Sequence, residues 1–450
     1  MPTRVSDPIR ARQFAVEAVG RLREAHFEAF FAGGCVRDEL LRRVPADYDV
    51  ATSAKPDEVR GVFGHRRTLA VGAAFGVITV VGPPDAGQVE VTTFRTDAAY
   101  TDGRHPAGVT FSTPREDAQR RDFTINGLFL DPLSGEVHDY VHGRDDLAAG
   151  IVRAIGSPAL RFGEDHLRML RAVRFAAGFG FVLERETFAA IQKMSHLVMA
   201  VSPERIAAEL RAMVSRSGRG RALELLEETG LAREVLPEVA PADRNGAGPL
   251  ATWRQSAQII QALHAPDLAA ALAVLFCGAG FDSAGFAKGA RRASLQRAVA
   301  RLRLSNRESQ TACWLLATVE AIETPEKTAD AQAGGLAGTT EIAGRPWSQV
   351  QPWLAHPDAV LLADVLRARS DGGRGSAQTA AWVSQQLTRS QDDLNPPPLL
   401  TGNDLLAMGV PAGRPIGAML ASLRRLQLDR EIQTRNEAME QVELLRQSGQ

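Results

Sequence analysis

Two acidic residues two positions apart, Asp47 and Asp49, follow a little way behind a pair of adjacent glycines, Gly33 and Gly34. In an extended segment over Asp47–Val50, residues two apart share a face, so the two carboxylates stand in parallel. Like charges held together are costly unless something neutralises them, and a hard divalent cation with oxygen ligands does so. Mg²⁺ suits such a set, because it keeps waters and takes one or two carboxylates together with substrate phosphates. The run Gly33-Gly34-Cys35-Val36-Arg37-Asp38 follows a β-prone stretch, Phe27–Phe31, and opens a helix. Glycines at that place let backbone N–H groups approach a phosphate, helped by the positive helix N-terminus. Each feature alone has a plain structural reading, an edge strand with alternating acids or a tight turn. Together they describe a phosphate-and-cation site.

The elements that must position these groups are legible in outline. Phe14–Ala25 has helical spacing, with Ala15, Val19 and Leu22 on one side. Short β-prone runs follow at Phe27–Phe31, Tyr48–Ala51, Gly76–Val81, Val89–Phe94 and Val109–Phe111, separated by turns such as Gly82-Pro83-Pro84 and Asp102-Gly103. This mixture runs to about residue 150 and reads as one α+β domain. From Pro158 the pattern is helical, through Phe162–Ala177, Thr187–Leu197, Pro203–Val214 and Ala222–Leu231, with a further block over about 253–390. A Gly/Ala/Thr-rich stretch near Ala333–Gly344 interrupts that block. Asn395-Pro396-Pro397-Pro398 reads as a linker before a last helical unit, Thr401–Leu445.

Composition excludes several classes. At 450 residues the chain is long enough for about three domains of ~100–200 residues each. It is 44% apolar and 23% charged, which is ordinary for a globular protein and rules out disorder and collagen. No run approaches the ~18 apolar residues of a bilayer span, and the N-terminus is too polar for a signal peptide. Cys35, Cys277 and Cys313 are far apart and form no Cys-x-x-Cys pair, which argues against a disulfide framework and a cysteine zinc site. A cytoplasmic protein without membrane contact is expected. The net charge is −1, so bulk electrostatics does not announce a nucleic-acid partner. Lysine occurs only at Lys55, Lys193, Lys288 and Lys327, so nearly all 52 basic residues are arginines, a bias that codon usage explains without any function.

Six segments in order narrow the reading: Gly33–Asp38, Asp47–Ala54, Glu90–Arg95, Arg120–Asn126, Glu164–Phe175 and Pro203–Leu210. Together they resemble the class II tRNA nucleotidyltransferase and bacterial poly(A) polymerase family of the DNA polymerase β superfamily. The resemblance covers about residues 28–235, and Pro398–Leu445 is similar to the family's C-terminal segment. It implies an α+β fold: a five-stranded, polymerase-β-like head followed by an elongated all-α neck, body and tail. The corresponding boundaries are 1–150 for the head, 151–240 for the neck, 241–394 for a body resembling a degenerate HD domain, and 395–450 for the tail.

The resemblance also implies roles. Glu90 is placed as a third carboxylate beside Asp47 and Asp49, whereas a surface strand glutamate is its plain alternative. Two metal ions would activate a tRNA 3′-hydroxyl and stabilise the leaving pyrophosphate. Gly33, Gly34, Arg37, Arg121, Asp122 and Asn126 fall at nucleotide-binding positions, Arg121 contacting the nucleotide and Asn126 anchoring ribose or serving a turn. Asp165, Arg168, Arg171 and Arg174 recur every three residues. On one continuous helix Asp165 and Arg168 lie close, while Arg171 and Arg174 swing progressively away. Asp165 accepts from an exocyclic amino group and Arg168 donates to ring acceptors, which admits cytosine and adenine and rejects uracil and guanine. A bare surface salt bridge at that spacing is the alternative.

The implied reaction is addition of CCA to the tRNA 3′ end from CTP and ATP with Mg²⁺. Poly(A) polymerases and partial CC-adding or A-adding enzymes share these motifs. Val71–Val77 stands where poly(A) polymerases tend to carry an arginine-rich strand, although His65-Arg66-Arg67 lies nearby. The segment Thr96–His105 keeps the length that CC-adding enzymes lose. A catalytically dead RNA-binding protein is the reading from another class, and intact Asp47 and Asp49 argue against it. In the body, Gln255 and Cys277-Gly278 stand where relatives carry HD-domain metal ligands, so a purely structural body is expected.

Overall fold

The computed structural model describes residues 7–97, 109–240, 247–278, 289–323 and 342–448. They fall into two compact units, residues 1–246 with 301–303, and residues 247–300 with 304–450. The first unit opens with helix α1 (Pro8–Glu24), capped by Asp7, whose Oδ1 accepts from the Ile9 N–H at 2.9 Å. Its buried Phe14, Ala15, Ala18, Val19 and Leu22 make the single apolar face that helical spacing promised. The strands of the head are β1 (Ala29–Ala32), β2 (Asp49–Thr52), β3 (Thr68–Leu69), β4 (Val77–Val81), β5 (Gln88–Thr93), β6 (Arg95–Asp97), β7 (Val109–Phe111), β8 (Leu128–Leu130) and β9 (Val137–Asp139).

Seven of them form one sheet in the order β3-β4-β5-β2-β1-β8-β9, where five were expected. The difference comes from brief strands: β3 has two residues and β8 and β9 three each, too short to leave a period-two pattern. Val109–Phe111, read as a β-prone run, pairs with β6 in a separate two-stranded ladder. All pairings in the main sheet are antiparallel except β2 with β5. Helices α2 (Gly34–Leu40), α3 (Pro56–Phe63), α4 (Pro114–Gln119) and α5 (Gly143–Ala149) complete the head. A cluster of Ala32, Ala51, Phe94, Ala118 and Phe129 packs where β1, β2 and α4 meet.

Beyond the head the same unit continues through α6 (Pro158–Glu164), α7 (Leu167–Phe179), α8 (Arg185–Met194), α9 (Pro203–Val214), α10 (Arg219–Glu228) and α11 (Leu231–Val235). The continuous helix expected over Phe162–Ala177 is two helices. Asp165 is extended, at φ −146° and ψ 106°, and breaks the chain between α6 and α7.

The second unit is helical among its described residues: α12 (Ala247–Ala262), α13 (Leu268–Gly278), α14 (Ala290–Arg301), α15 (Asn306–Glu323), α16 (Trp347–Leu354), α17 (Ala359–Asp371), α18 (Ala377–Gln386), α19 (Gln391–Leu394), α20 (Gly402–Ala407), α21 (Arg414–Leu428) and α22 (Arg435–Ser448). Helix α13 is buried along its whole length and packs on α12, α15 and α17. The proline-rich linker is pinned rather than loose. Arg424 donates to the Pro396 carbonyl at 2.6 Å and to Asn395 Oδ1 at 2.7 Å, and Gln427 donates to the Pro397 carbonyl at 2.8 Å. Leu400, Leu405, Val410, Leu423, Leu426, Ile432, Ala438 and Val442 give the last three helices their own core. Most of the segment Thr96–His105, and most of the stretch Ala333–Gly344, lie outside the described residues. No described helix is long and apolar enough to cross a membrane.

Candidate active site

The parallel pairing of β2 with β5 sets Asp49 directly opposite Glu90. This register brings the third acid beside the first pair. Asp47 lies just before β2 rather than in it, because the strand begins at Asp49, so the expected shared-face geometry does not apply. The two acids nevertheless sense each other. Burial, then Asp47, then Glu90 push the Asp49 carboxyl up to about 6, while Arg121 pulls it back down. Asp47 and Glu90 are exposed and Asp49 is half-buried. Among the described residues no group of three or more His, Cys, Asp or Glu side chains is gathered closely enough to hold a metal by itself. Mg²⁺ needs only one or two carboxylates when substrate phosphates and waters complete its shell, so the crowded pair fits that ion.

Gly33 caps α2 with φ 72°, a left-handed value that favours glycine. Space makes the same demand: a Cβ at Gly33 would lie 2.7 Å from Arg121 Nη1. At Gly34 a Cβ would make only an ordinary contact, 3.7 Å from Arg37 Nη2. The first amides of a helix lack intrahelical acceptors, so the turn presents donors beside the Arg121 guanidinium. Arg121 is fixed by Asp117, whose Oδ2 accepts from Nη2 at 2.9 Å and Nε at 3.1 Å, and its guanidinium lies 5.0 Å from the Phe129 ring centroid. Asp117 itself is 1% exposed. Burial alone would raise its carboxyl, but Arg121 and Arg120 hold it below its ordinary value.

Arg37 and Asn126 are drawn into a polar chain that links the head to α7. Arg37 Nη1 donates to Asn126 Oδ1 at 2.6 Å, and Asn126 Nδ2 donates to Asp122 Oδ1 at 3.0 Å. Arg171 then donates to Asp122 Oδ2 at 2.7 and 2.9 Å. Arg37 also pairs with Asp38 at 2.8 Å and lies over the rings of Phe175 and Phe179. Burial would raise Asp122, but the Arg171 guanidinium and the Asn126 amide together hold it at about 2. Arg174 is bound by Glu209 of α9, which Arg171 also approaches at 3.9 Å. Arg37, Asp122, Asn126, Arg171 and Arg174 therefore all have protein partners in this structure.

The expected Asp165–Arg168 pair is not formed on one helix face, because the chain breaks at Asp165. Arg168 is buried, donating to the Arg161 carbonyl at 3.0 Å and pairing with Glu164. Asp165 Oδ1 accepts from the Leu167 N–H at 3.0 Å, and both its oxygens accept from Arg205 of α9. Glu164, Arg205 and Glu209 are site neighbours to which the sequence reading gave no role. The signal lay in the segments Glu164–Phe175 and Pro203–Leu210, which contain all three.

In the second unit, Gln255 donates to the Gly372 carbonyl at 2.8 Å and accepts from Arg374 Nε at 2.5 Å. Cys277 is buried, and burial pushes its thiol up to about 12. A Cβ at Gly278 would lie 2.3 Å from Ser256 Oγ. The positions that resemble displaced HD ligands are thus used for close packing and hydrogen bonding.

An acid opening a central strand with a second acid just before it, a glycine turn and an arginine beside them make a site suited to nucleotidyl transfer. Residues 29–153 match the family described as the poly A polymerase head domain, and residues 180–243 match the probable RNA and SrmB-binding site of polymerase A. Over these segments the chain is similar to the tRNA nucleotidyltransferase and poly(A) polymerase family. Among curated relatives, the CCA-adding enzyme of Lactobacillus johnsonii is 42% identical over 222 residues, 49% of this chain and 54% of its own. That of Geobacillus sp. is 42% identical over 220 residues, 49% and 53% respectively. The matched part thus spans about half the length of these relatives. The solved CCA-adding enzyme of Bacillus stearothermophilus, in complex with CTP, superposes with a TM-score of 0.73 at 27% identity, covering 97% of this chain and 99% of that one. The Thermotoga maritima CCA-adding enzyme complexed with tRNA shares the fold at 16% identity, with a TM-score of 0.57 over 96% and 94% of the two chains.

Proposed function

We propose that this protein is a template-independent nucleotidyltransferase that adds CCA to the 3′ end of tRNA from CTP and ATP, releasing pyrophosphate. The observation that carries the reading is the register that sets Asp49 against Glu90, with Asp47 and Arg121 at the same carboxyl. Asp47 and Asp49, assisted by Glu90, would hold Mg²⁺. A pair of such cations held there would supply activation of the attacking 3′-hydroxyl and neutralisation of charge on the leaving pyrophosphate.

The chain's own residues do the rest. The Gly33 turn and the first amides of α2 face the triphosphate, and Arg121, held by Asp117, offsets its charge. Asp165 accepts from the amino group of cytosine or adenine, and Arg168 donates to the ring acceptor beside it. Uracil and guanine present a carbonyl where Asp165 needs a donor, and a buried acceptor left without a partner costs binding. Arg171 and Arg174 belong to the framework that seats α7 against the head and α9. That CCA-adding enzymes have been solved in complex with CTP, with ATP and with tRNA supports these substrates.

Poly(A) addition is the second reading, because the head family is described by the poly A polymerases. Product sequence decides between them. A tRNA ending at its discriminator base is incubated with CTP, ATP or both, and its 3′ end is sequenced. CCA from the mixture, CC from CTP alone and no A-tract from ATP alone are expected. A long A-tract, or growth that stops at CC in the mixture, overturns the reading.

A further inference from the structure

The residue that chooses the base sits where no helix can aim it. Asp165 occupies the break between α6 and α7, with an extended backbone at φ −146° and ψ 106°. A helical aspartate inherits its direction from the turn below it, whereas one in a break takes it from whatever its carboxylate binds. Two groups bind it here. The Leu167 N–H reaches Oδ1 at 3.0 Å, and the Arg205 guanidinium reaches Oδ1 through Nη1 at 3.3 Å and Oδ2 through Nη2 at 2.8 Å. Arg205 comes from α9, forty positions along the chain, and the pair is mostly shielded from water, with side chains 26% and 15% exposed. A planar fork across a planar carboxylate fixes orientation as well as charge.

We propose that Arg205 is a positioning residue for nucleotide selection: it holds the Asp165 carboxylate in one plane, so that an amino group is accepted and a carbonyl refused. The assignment rests on the reading of Asp165 as base acceptor given above. A carboxylate oxygen takes two hydrogen bonds, so Oδ2 keeps a lone pair for the incoming base while Arg205 occupies the other. Without Arg205 the carboxylate is tethered only through Leu167 and is free to rotate. It then meets uracil with water between them, and the penalty that rejects the wrong base weakens.

A purely structural clamp between α9 and the α6–α7 break predicts something different. It lowers stability and slows all four nucleotides in proportion. The ratio of kcat/KM for CTP to that for UTP separates the two cases, because it is measured within one preparation and does not depend on the fraction folded. The full chain is assayed on a tRNA lacking its CCA end, as wild type, Arg205→Ala and Arg205→Lys. For Arg205→Ala the CTP:UTP and ATP:GTP ratios are expected to fall by about tenfold or more, the effect of losing one well-placed polar contact at a discriminating site. Arg205→Lys, which returns the charge and a single donor, is expected to recover part of the ratio. A wild-type ratio in Arg205→Ala, at whatever rate or melting temperature, overturns the proposal while leaving Asp165 as base acceptor. A wild-type chain with no preference for C and A overturns the reading of Asp165 itself, and the role of Arg205 with it.

Discussion

Replacing Gly33 with alanine tests the head's geometry at its tightest point. The left-handed backbone at φ 72° disfavours a Cβ by about 1–2 kcal/mol. For a unit of this size that corresponds to a melting temperature lower by roughly 2–8 °C. The steric part acts on chemistry rather than stability. The new Cβ would lie 2.7 Å from Arg121 Nη1, so the guanidinium must retreat. An ordinary contact needs ~3.5–4.0 Å, which makes the retreat about 1 Å. Arg121 cannot swing away cheaply, since Asp117 grips it at 2.9 and 3.1 Å and the Asn126 carbonyl accepts from it at 3.4 Å. A displacement of about 1 Å in a charge-stabilising group costs on the order of 10²-fold in rate. Gly33→Ala is therefore expected to lose about 10- to 100-fold in kcat/KM for CTP while remaining folded. Arg121→Ala removes the obstacle. The double variant Gly33→Ala/Arg121→Ala should then be no slower than Arg121→Ala alone, with the backbone cost still visible in its melting temperature. Strictly additive losses in kcat/KM across the four proteins would refute the argument, because the glycine would then act through something other than Arg121.

Three further outcomes are expected. Asp47→Ala and Asp49→Ala abolish nucleotide addition at saturating Mg²⁺ with unchanged circular dichroism, and wild-type rates in either would remove the carboxylates from the cation site. Asp122 titrates near 2 in the folded chain against an ordinary 3.8, so its ion pair stabilises the fold above about pH 4 and is lost as pH falls through 2. The stability gap between wild type and Asp122→Asn, measured by urea unfolding, should accordingly shrink by on the order of 2 kcal/mol between pH 6 and pH 2. The second unit is expected to release no phosphate from a 2′,3′-cyclic end, since Gln255 and Cys277 stand where metal ligands would be needed, and metal-dependent turnover of that substrate would contradict it.

The features that sequence conveyed well are those written locally. A glycine pair opening a helix and an acid opening a strand carry their chemistry in neighbouring residues, and Gly33 and Asp49 are found where the spacing put them, whereas Asp47 falls just outside the strand. What it obscured is set by residues far along the chain. Glu164-Asp165-His166 contains neither glycine nor proline, and Gly163 just before it is only a weak local cue to the break between α6 and α7. Arg205 and Glu209, four positions apart, look like a self-contained surface pair on one helix. They ignore each other instead, one binding Asp165 and the other Arg174. The opposition of Asp49 and Glu90 depended on parallel pairing between β2 and β5, a long-range choice that alternating acids do not reveal. The sheet's edges were missed for a simpler reason, since two- and three-residue strands have no period to read.

The amide of Asn126 stands between a cation and an anion, and its two ends are not interchangeable. Its oxygen faces Arg37 and its nitrogen faces Asp122, an orientation fixed by what each neighbour can give or take. The side chain therefore acts as a polarity converter, turning a donor on the α2 side into an acceptor on the α7 side without carrying charge of its own. An aspartate of the same shape would present an acceptor to Asp122, leaving two carboxylates opposed in a buried place, while a leucine would silence both ends. Few side chains that small offer one donor end and one acceptor end in a single plane. Coupling between the head and α7 thus has a direction built into it, and the residue with the least charge in the chain is the one that sets that direction.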